Sequence, residues 1–278
     1  MSTRPLAASC LTLFLALSPA LAQDPGRNVR FGMPSPARAD PGHREDFLIE
    51  RPQYVLSYNA RTRTPNWVSW CLRRGDIGNA ARSAFEPDPD LPRGFARVTS
   101  HAYDGSGFDR GHMCPAKDRS ASAADCAATF YMTNVVPQSP HSNQKAWERL
   151  ESYCRDLAKR GSELHIVCGP HGVGGSGKNG PRDEIGKGRT EVTVSAKLWK
   201  VIVVLPHEGA EPRKNTRVIA VIMPNDQSVV FDWTRYRVAP REIEKMTGYT
   251  FFRAMPEPVA SALREHLDEV EVHVSAPR

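Results

Sequence analysis

The sequence predicts an α+β domain built on a central, mostly antiparallel sheet flanked by helices. Three observations point there: separate β-branched runs that suit strands, two segments with helix signals at both ends, and no regular alternation between the two kinds. Hydrophobic residues make up 40% of the 278, enough to bury a core. A net charge of +6 suits a polyanionic partner without identifying one.

Taken in order, the chain opens on Arg4, an apolar run from Leu6 to Leu17, and Ala20-Leu21-Ala22 before Gln23. Residues 1–22 therefore read as a cleaved signal peptide, too short to remain as a membrane helix. The mature protein is expected in the periplasm or the medium, without a membrane segment. Residues 23–45, rich in Pro, Gly, Arg and Asp, read as a flexible leader, and 46–278 as a single domain with a loose C-terminal tail. Phe47 to Tyr58 alternates apolar and polar residues, as does Trp67 to Leu72 after a Pro65-Asn66 turn, which predicts an opening antiparallel pair. The polar stretch from Arg73 to Arg93 reads as loops, and glycines mark a turn near Tyr103 to Gly107. Lys145 to Arg160 carries apolar residues at three- and four-residue steps and ends at Gly161, predicting a helix. Glu163 to Cys168, Glu191 to Leu205 and Arg217 to Met223 are the sheet runs. Pro240 opens a second helix that Gly248 closes.

Signal cleavage removes Cys10 and leaves Cys71, Cys114, Cys126, Cys154 and Cys168. In an oxidising compartment these are expected to form disulfides, with at least one thiol left over. No Cys-x-x-Cys pair supports zinc. Cys114, two residues from His112, is expected in a bridge that stiffens the loop, with Cys126 or Cys154 as partner, rather than as a nucleophile. Gly172 to Lys178 looks like a phosphate-binding loop, but Asn179 stands where Ser or Thr belongs and Pro181 blocks a following helix. A flexible surface loop is the expectation there.

Two stretches carry chemistry: Phe108-Asp109-Arg110-Gly111-His112-Met113, and Thr133-Asn134-Val135-Val136-Pro137-Gln138 running on to Ser142-Asn143-Gln144-Lys145-Ala146-Trp147-Glu148-Arg149-Leu150-Glu151. Hydrolysis of a phosphodiester needs a base with a pKa near neutrality, and histidine fits. It also needs cations where charge develops, supplied by a guanidinium and a divalent metal. Gly111 allows an unusual turn between Arg110 and His112, and Asp109 can hold that turn or Arg110. Mg²⁺ often takes only one or two protein oxygens, so the amide of Asn143 at the helix start suffices. Glu151 lies about 12 Å further along a regular helix and reaches the metal through a water. Singly, each residue has an ordinary reading: a polar loop histidine, a helix N-cap, a solvated glutamate, a surface salt bridge.

Together, in this order, they resemble the DNA/RNA non-specific endonuclease family, with its ββα-metal active site. The resemblance covers roughly Tyr54 to Phe252. It implies His112 as general base, Asn143 as direct ligand of Mg²⁺ (Mn²⁺ substituting), Glu151 acting through water, and Arg110 stabilising charge at the scissile phosphate. Asn134 would support the site by hydrogen bonding, and Arg82 would bind phosphate. Trp67 and Trp147 match family positions and read as core. DNA and RNA, single- and double-stranded, are the implied substrates, cut to 5′-phosphate ends, and a homodimer and an inhibitor protein are the implied protein partners. Two other classes stand against this: a nucleic-acid-binding protein without catalysis, and a phosphoesterase for small or lipid phosphodiesters. Steep salt dependence marks a polymer-binding enzyme.

Overall fold

The computed structural model describes residues 25–272, so the expected signal peptide lies outside the described residues. A short helix, α1 (Pro25–Asn28), precedes the first three strands, β1 (Phe47–Glu50), β2 (Val55–Asn59) and β3 (Thr64–Leu72). The run from Phe47 to Tyr58, expected as one strand, folds back on itself: Phe47 pairs with Tyr58 and Glu50 with Val55. The expected Pro65-Asn66 turn is displaced too. The chain reverses at 60–63, where Arg63 takes a positive φ of 58°, and Pro65 already pairs with Tyr58. Pro65 is tolerated because β3 reaches its next neighbour only from Val68 onward, so its missing N–H interrupts no second ladder.

The segment expected as a flexible leader is packed. Asn28, 1% exposed, donates its side-chain amide to the carbonyls of Arg51 and Pro52 and accepts from the backbone N–H of Cys71. Ser35 Oγ accepts from the Trp67 indole at 2.8 Å, and the Phe31 ring lies 4.5 Å from His165. Composition suggested disorder because the anchors are single polar side chains meeting distant backbone, which no local pattern reveals.

After β3 come β4 (Asp109–His112), α2 (Ala123–Ala128) and β5 (Val135–Gln138). A π-helical turn (Ser142–Trp147) runs into α3 (Glu148–Lys159), and β6 (Glu163–His171) follows. Two small hairpins come next, β7 (Gly175–Gly177) with β8 (Gly180–Arg182) and β9 (Glu184–Ile185) with β10 (Val192–Thr193). The chain closes with β11 (Lys197–Leu205), β12 (Arg217–Pro224), α4 (Pro240–Thr247) and α5 (Glu257–Arg264). The phosphate-loop look-alike is thus a hairpin rather than a loose loop. Its glycines allow close approach: a Cβ on Gly177 would sit 2.5 Å from the Gly107 carbonyl oxygen.

Six strands form the main sheet in the order β1-β2-β3-β6-β11-β12, every neighbour antiparallel. Alternation along β11 divides the core between its two faces. Leu198 and Ile202 join Trp70, Ile166 and the inward side of α3, where Leu150, Cys154 and Ala158 recur at helical spacing. Trp199, Val201, Val203 and Leu205 face the other way and pack with Ile243 of α4 and Ala260 and Leu263 of α5. That second layer anchors the C-terminal segment expected to be loose, at least through Arg264. Trp67 and Trp147 are both fully enclosed and serve the core, as expected.

The disulfide expectation is overturned. Cys71, Cys114, Cys126, Cys154 and Cys168 are all free thiols, and all are buried. Cys114, Cys154 and Cys168 sit in the main apolar core and Cys126 in a smaller cluster, while Cys71 lies beside Glu163 and His165. Burial pushes the thiols up, to about 11 for Cys71 and about 12 for Cys154 and Cys168. They behave as packing residues rather than as cross-links. Cys114 is likewise pushed up by burial, so it is no nucleophile.

Candidate active site

The site is built on β4, β5 and the helix that follows. Antiparallel pairing sets Asp109 opposite Gln138, Arg110 opposite Pro137 and His112 opposite Val135, so the first stretch of chemistry is a strand rather than a turn. Gly111 is required there for space, not for an unusual backbone. A Cβ would lie 2.2 Å from Gln138 Oε1 and 2.6 Å from Gln138 Cβ, and Gln138 is fully buried. Asn143 is not the N-cap it resembled. Its N–H already donates to Ser139 O at 2.8 Å, and the residue sits inside the π-helical turn. Such turns often mark functional positions because they carry one residue more than the surrounding α-helix.

One cleft of about 350 Å³ brings together Arg82, Arg110, His112, Asn143 and Glu151. All five come from the sequence expectations, and they reach the cleft from four places: the 73–93 loops, β4, the π-helical turn and α3. His112 stands in an aromatic box, its ring 5.1 Å from Phe85 and 4.8 Å, edge to face, from Phe130. Its Nε2 is buried without a hydrogen-bond partner. Burial first, and the Arg82 cation second, lower the imidazole to about 3, so it stands neutral in the free protein.

Asp109 does not hold Arg110. Its Oδ2 accepts from Asn143 Nδ2 at 2.9 Å and from Gln144 Nε2 at 2.7 Å. With its nitrogen bound to a carboxylate, Asn143 has its amide oxygen left for a cation. Arg110 is held elsewhere, by the Ser100 carbonyl and by Asp104 Oδ1 at 2.6 Å, and its guanidinium lies 5.8 Å from both the Phe85 and Tyr103 rings. Asn134 does not line the cleft. Fully buried, it donates to the carbonyls of Cys114 and Thr129 and accepts from the Cys114 N–H, which splints the chain just past His112.

Glu151 borders the cleft while sunk in the core, and burial pushes its carboxyl up to about 7 against the pull of Lys200 and Arg155. Lys117, Glu148 and Arg155 also border the cleft, and sequence reading missed them. Arg155 had a signal: it follows Glu151 by four residues, hence lies on the same helix face. Its guanidinium meets Asp118 Oδ1 at 3.2 Å and Glu148 Oε1 at 3.5 Å. Four cations, Arg82, Arg110, Lys117 and Arg155, thus surround two carboxylates, a balance that receives a phosphate together with a divalent ion. The donors offered to such an ion are an amide oxygen and a carboxylate. These are hard ligands that fit Mg²⁺ or Mn²⁺ and not a thiophilic metal.

Another group of metal-binding types, Cys71, Glu163 and His165, lies within 4.8 Å on the opposite face of the sheet. It does not fit a metal. Glu163 Oε1 already accepts from His165 Nε2 at 2.7 Å and Arg30 at 3.1 Å, and Oε2 meets Arg73 at 2.6 Å and the Gly209 N–H at 3.2 Å. Two guanidiniums fill the place a metal would take, and the knot ties the N-terminal segment and the 207–211 turn to the sheet.

Known proteins resemble this chain over most of its length. The profile of the DNA/RNA non-specific endonuclease family matches residues 36–257. A nuclease of Nostoc sp. is 39% identical over 274 residues, covering 94% of this chain and 96% of that one. The mitochondrial endonuclease G of Bos taurus is 33% identical, covering 81% of this chain and 73% of the relative. The crystal structure of the EndoG/EndoGI complex, described as revealing the mechanism of EndoG inhibition, superposes with a TM-score of 0.68 at 28% identity. It covers 84% of this chain and 92% of its own.

Proposed function

Given that this chain belongs to the DNA/RNA non-specific endonuclease family, we propose that it is an exported, Mg²⁺-dependent enzyme that hydrolyses DNA and RNA to 5′-phosphate ends. The reading rests on one observation, the convergence of Arg82, Arg110, His112, Asn143 and Glu151 on a single cleft. His112 takes the proton from the water that attacks phosphorus, since its ring is neutral and borders the cleft. Arg110, Arg82 and Arg155 hold the phosphate oxygens and counter the charge that grows on them. Asp109 orients the Asn143 amide, whose oxygen would hold Mg²⁺ directly, while Glu151 would act through a water on the same ion. When bound, Mg²⁺ supplies Lewis-acid stabilisation of the phosphate and of the departing O3′.

Nothing in this scheme uses a 2′-hydroxyl, so both DNA and RNA are cut. Contacts to phosphate rather than to base edges give little sequence preference. Export to the periplasm or the medium is supported by the N-terminal sequence, and among the described residues no helix is long and apolar enough to cross a membrane. A protein inhibitor is a reasonable partner by analogy with the EndoG/EndoGI complex, and a homodimer is a second expectation from the family.

The test is cleavage of plasmid DNA and of RNA by the mature protein, with Mg²⁺ and with EDTA, beside His112→Ala. Metal-dependent loss of both polymers, abolished in the variant, supports the reading. An inactive wild type makes this a binding protein, and a fully active His112→Ala displaces the base.

A further inference from the structure

Lys200 stands at the middle of β11, between β6 and β12, on the face that carries Leu198 and Ile202. It is 1% exposed, and a lysine is almost never enclosed so completely without a partner. Its ammonium lies 4.1 Å from the centre of the Trp147 ring and 5.6 Å from that of Trp70. The two π-faces replace part of the hydration the cation has lost. The remaining partner is Glu151, whose Oε1 is 3.6 Å from Nζ. Arg155, the next cation on α3, is engaged by Asp118 and Glu148, so Lys200 is the cation in ion-pair range of Glu151 among the described residues.

Glu151 borders the cleft and Lys200 does not. Whatever Lys200 contributes to the cleft therefore passes through that carboxylate. We propose that Lys200 is a positioning residue for the metal-dependent step. From inside the core it fixes Glu151 by one oxygen and leaves the other oxygen to the ion's hydration shell.

This inference rests on the nuclease reading of the same cleft, and it explains an arrangement that stability alone does not favour. A buried lysine and glutamate are costly to desolvate, and an apolar pair of similar volume is often at least as stable. Trp147, which packs on the ammonium, is kept in place by methionine's unbranched stem in Lys200→Met, so the charge alone is tested.

The experiment compares wild type, Lys200→Met, Glu151→Gln and the double variant, reading Mn²⁺ binding to the DNA-free protein by calorimetry and cleavage rate separately. Methionine keeps the unbranched stem against the two indoles and removes the charge. Lys200→Met is expected to weaken Mn²⁺ binding by roughly 10- to 100-fold, the usual cost of losing an outer-shell partner. With glutamine already at 151, the same change should alter Mn²⁺ binding by less than about threefold, the near-additivity limit for uncoupled sites. Unchanged Mn²⁺ binding in Lys200→Met, or an equal loss in both backgrounds, overturns the proposal. If Lys200→Met alone fails to fold, Glu151→Gln against the double variant decides: equal affinities support the coupling and a further tenfold loss refutes it. Failure of the nuclease reading looks different, since the wild type itself would then leave DNA and RNA intact with either metal.

Discussion

Asp109 offers the sharpest quantitative test, because one carboxylate oxygen does two things at once. It receives Asn143 Nδ2 at 2.9 Å and Gln144 Nε2 at 2.7 Å. A hydrogen bond to a charged group contributes about 1.5–3 kcal/mol. In Asp109→Ala that preference disappears for the Asn143 amide, which is then free to present its NH₂ rather than its oxygen to the cation. At about 1.4 kcal/mol per factor of ten, the loss corresponds to roughly 10- to 100-fold in metal affinity. Asp109→Asn keeps an acceptor oxygen without the charge. Neutral hydrogen bonds are roughly half as strong, so it should lie near about 3- to 10-fold. The assay is the initial rate of plasmid cleavage against Mg²⁺ concentration at fixed DNA. The half-saturating Mg²⁺ should rise in the order wild type, Asp109→Asn, Asp109→Ala, and excess Mg²⁺ should restore most of the rate. An unshifted Mg²⁺ curve in a folded Asp109→Ala protein would refute the claim that Asp109 works by orienting Asn143.

Three further outcomes follow from the geometry. Gly111→Ala forces a methyl into the Gln138 side chain, and overpacking of this kind costs about 1–3 kcal/mol. Urea denaturation should show that loss, and cleavage should fall as well because β4 carries His112. His112 is lowered to about 3 in the folded protein against 6.5 when unfolded, so the unfolded chain binds the extra proton between those values. The associated stability is complete above pH 6.5 and drains as pH falls toward 3, with a slope up to about 1.4 kcal/mol per pH unit. His112→Ala should therefore show a flatter decline of its urea midpoint over that window, and parallel curves would argue against a buried neutral imidazole. Finally, thiol titration of the unreduced, denatured mature protein should count five reactive groups, Cys71, Cys114, Cys126, Cys154 and Cys168. Three or fewer would restore a disulfide.

Much of the site was legible because its parts occur in a fixed order on local elements. His112 and Arg110 share one strand, and Asn143 and Glu151 share one helical stretch, so tertiary folding only had to bring two short segments together. α4 announced itself through Pro240 at its start and Gly248 in the left-handed conformation at its end. The helix at Glu257–Arg264 lay within the tail expected to be loose; Pro256 and Pro258 flank its start, where proline suits a helix's first turn. Lys200 was invisible for the opposite reason: a single lysine in a β-branched run looks like an outward-facing residue, and only the tryptophans of two other elements reveal that it points inward. The cysteine expectation failed because compartment chemistry says what thiols can do, while geometry decides what they meet.

The π-helical turn at Ser142–Trp147 has a consequence for how this protein can change. Eight α-helical steps would leave Asn143 and Glu151 about 80° apart around the axis; absorbing one residue in the wider turn reduces the offset to about 20°. The two side chains therefore share a cleft because the helix carries a register defect. Straightening that turn into regular α-helix without losing a residue gives better hydrogen bonds, and it swings Asn143 away from the cleft. A search for sturdier variants that scores only resistance to heat or denaturant would be drawn toward substitutions that straighten the turn, and would collect well-folded proteins unable to cut.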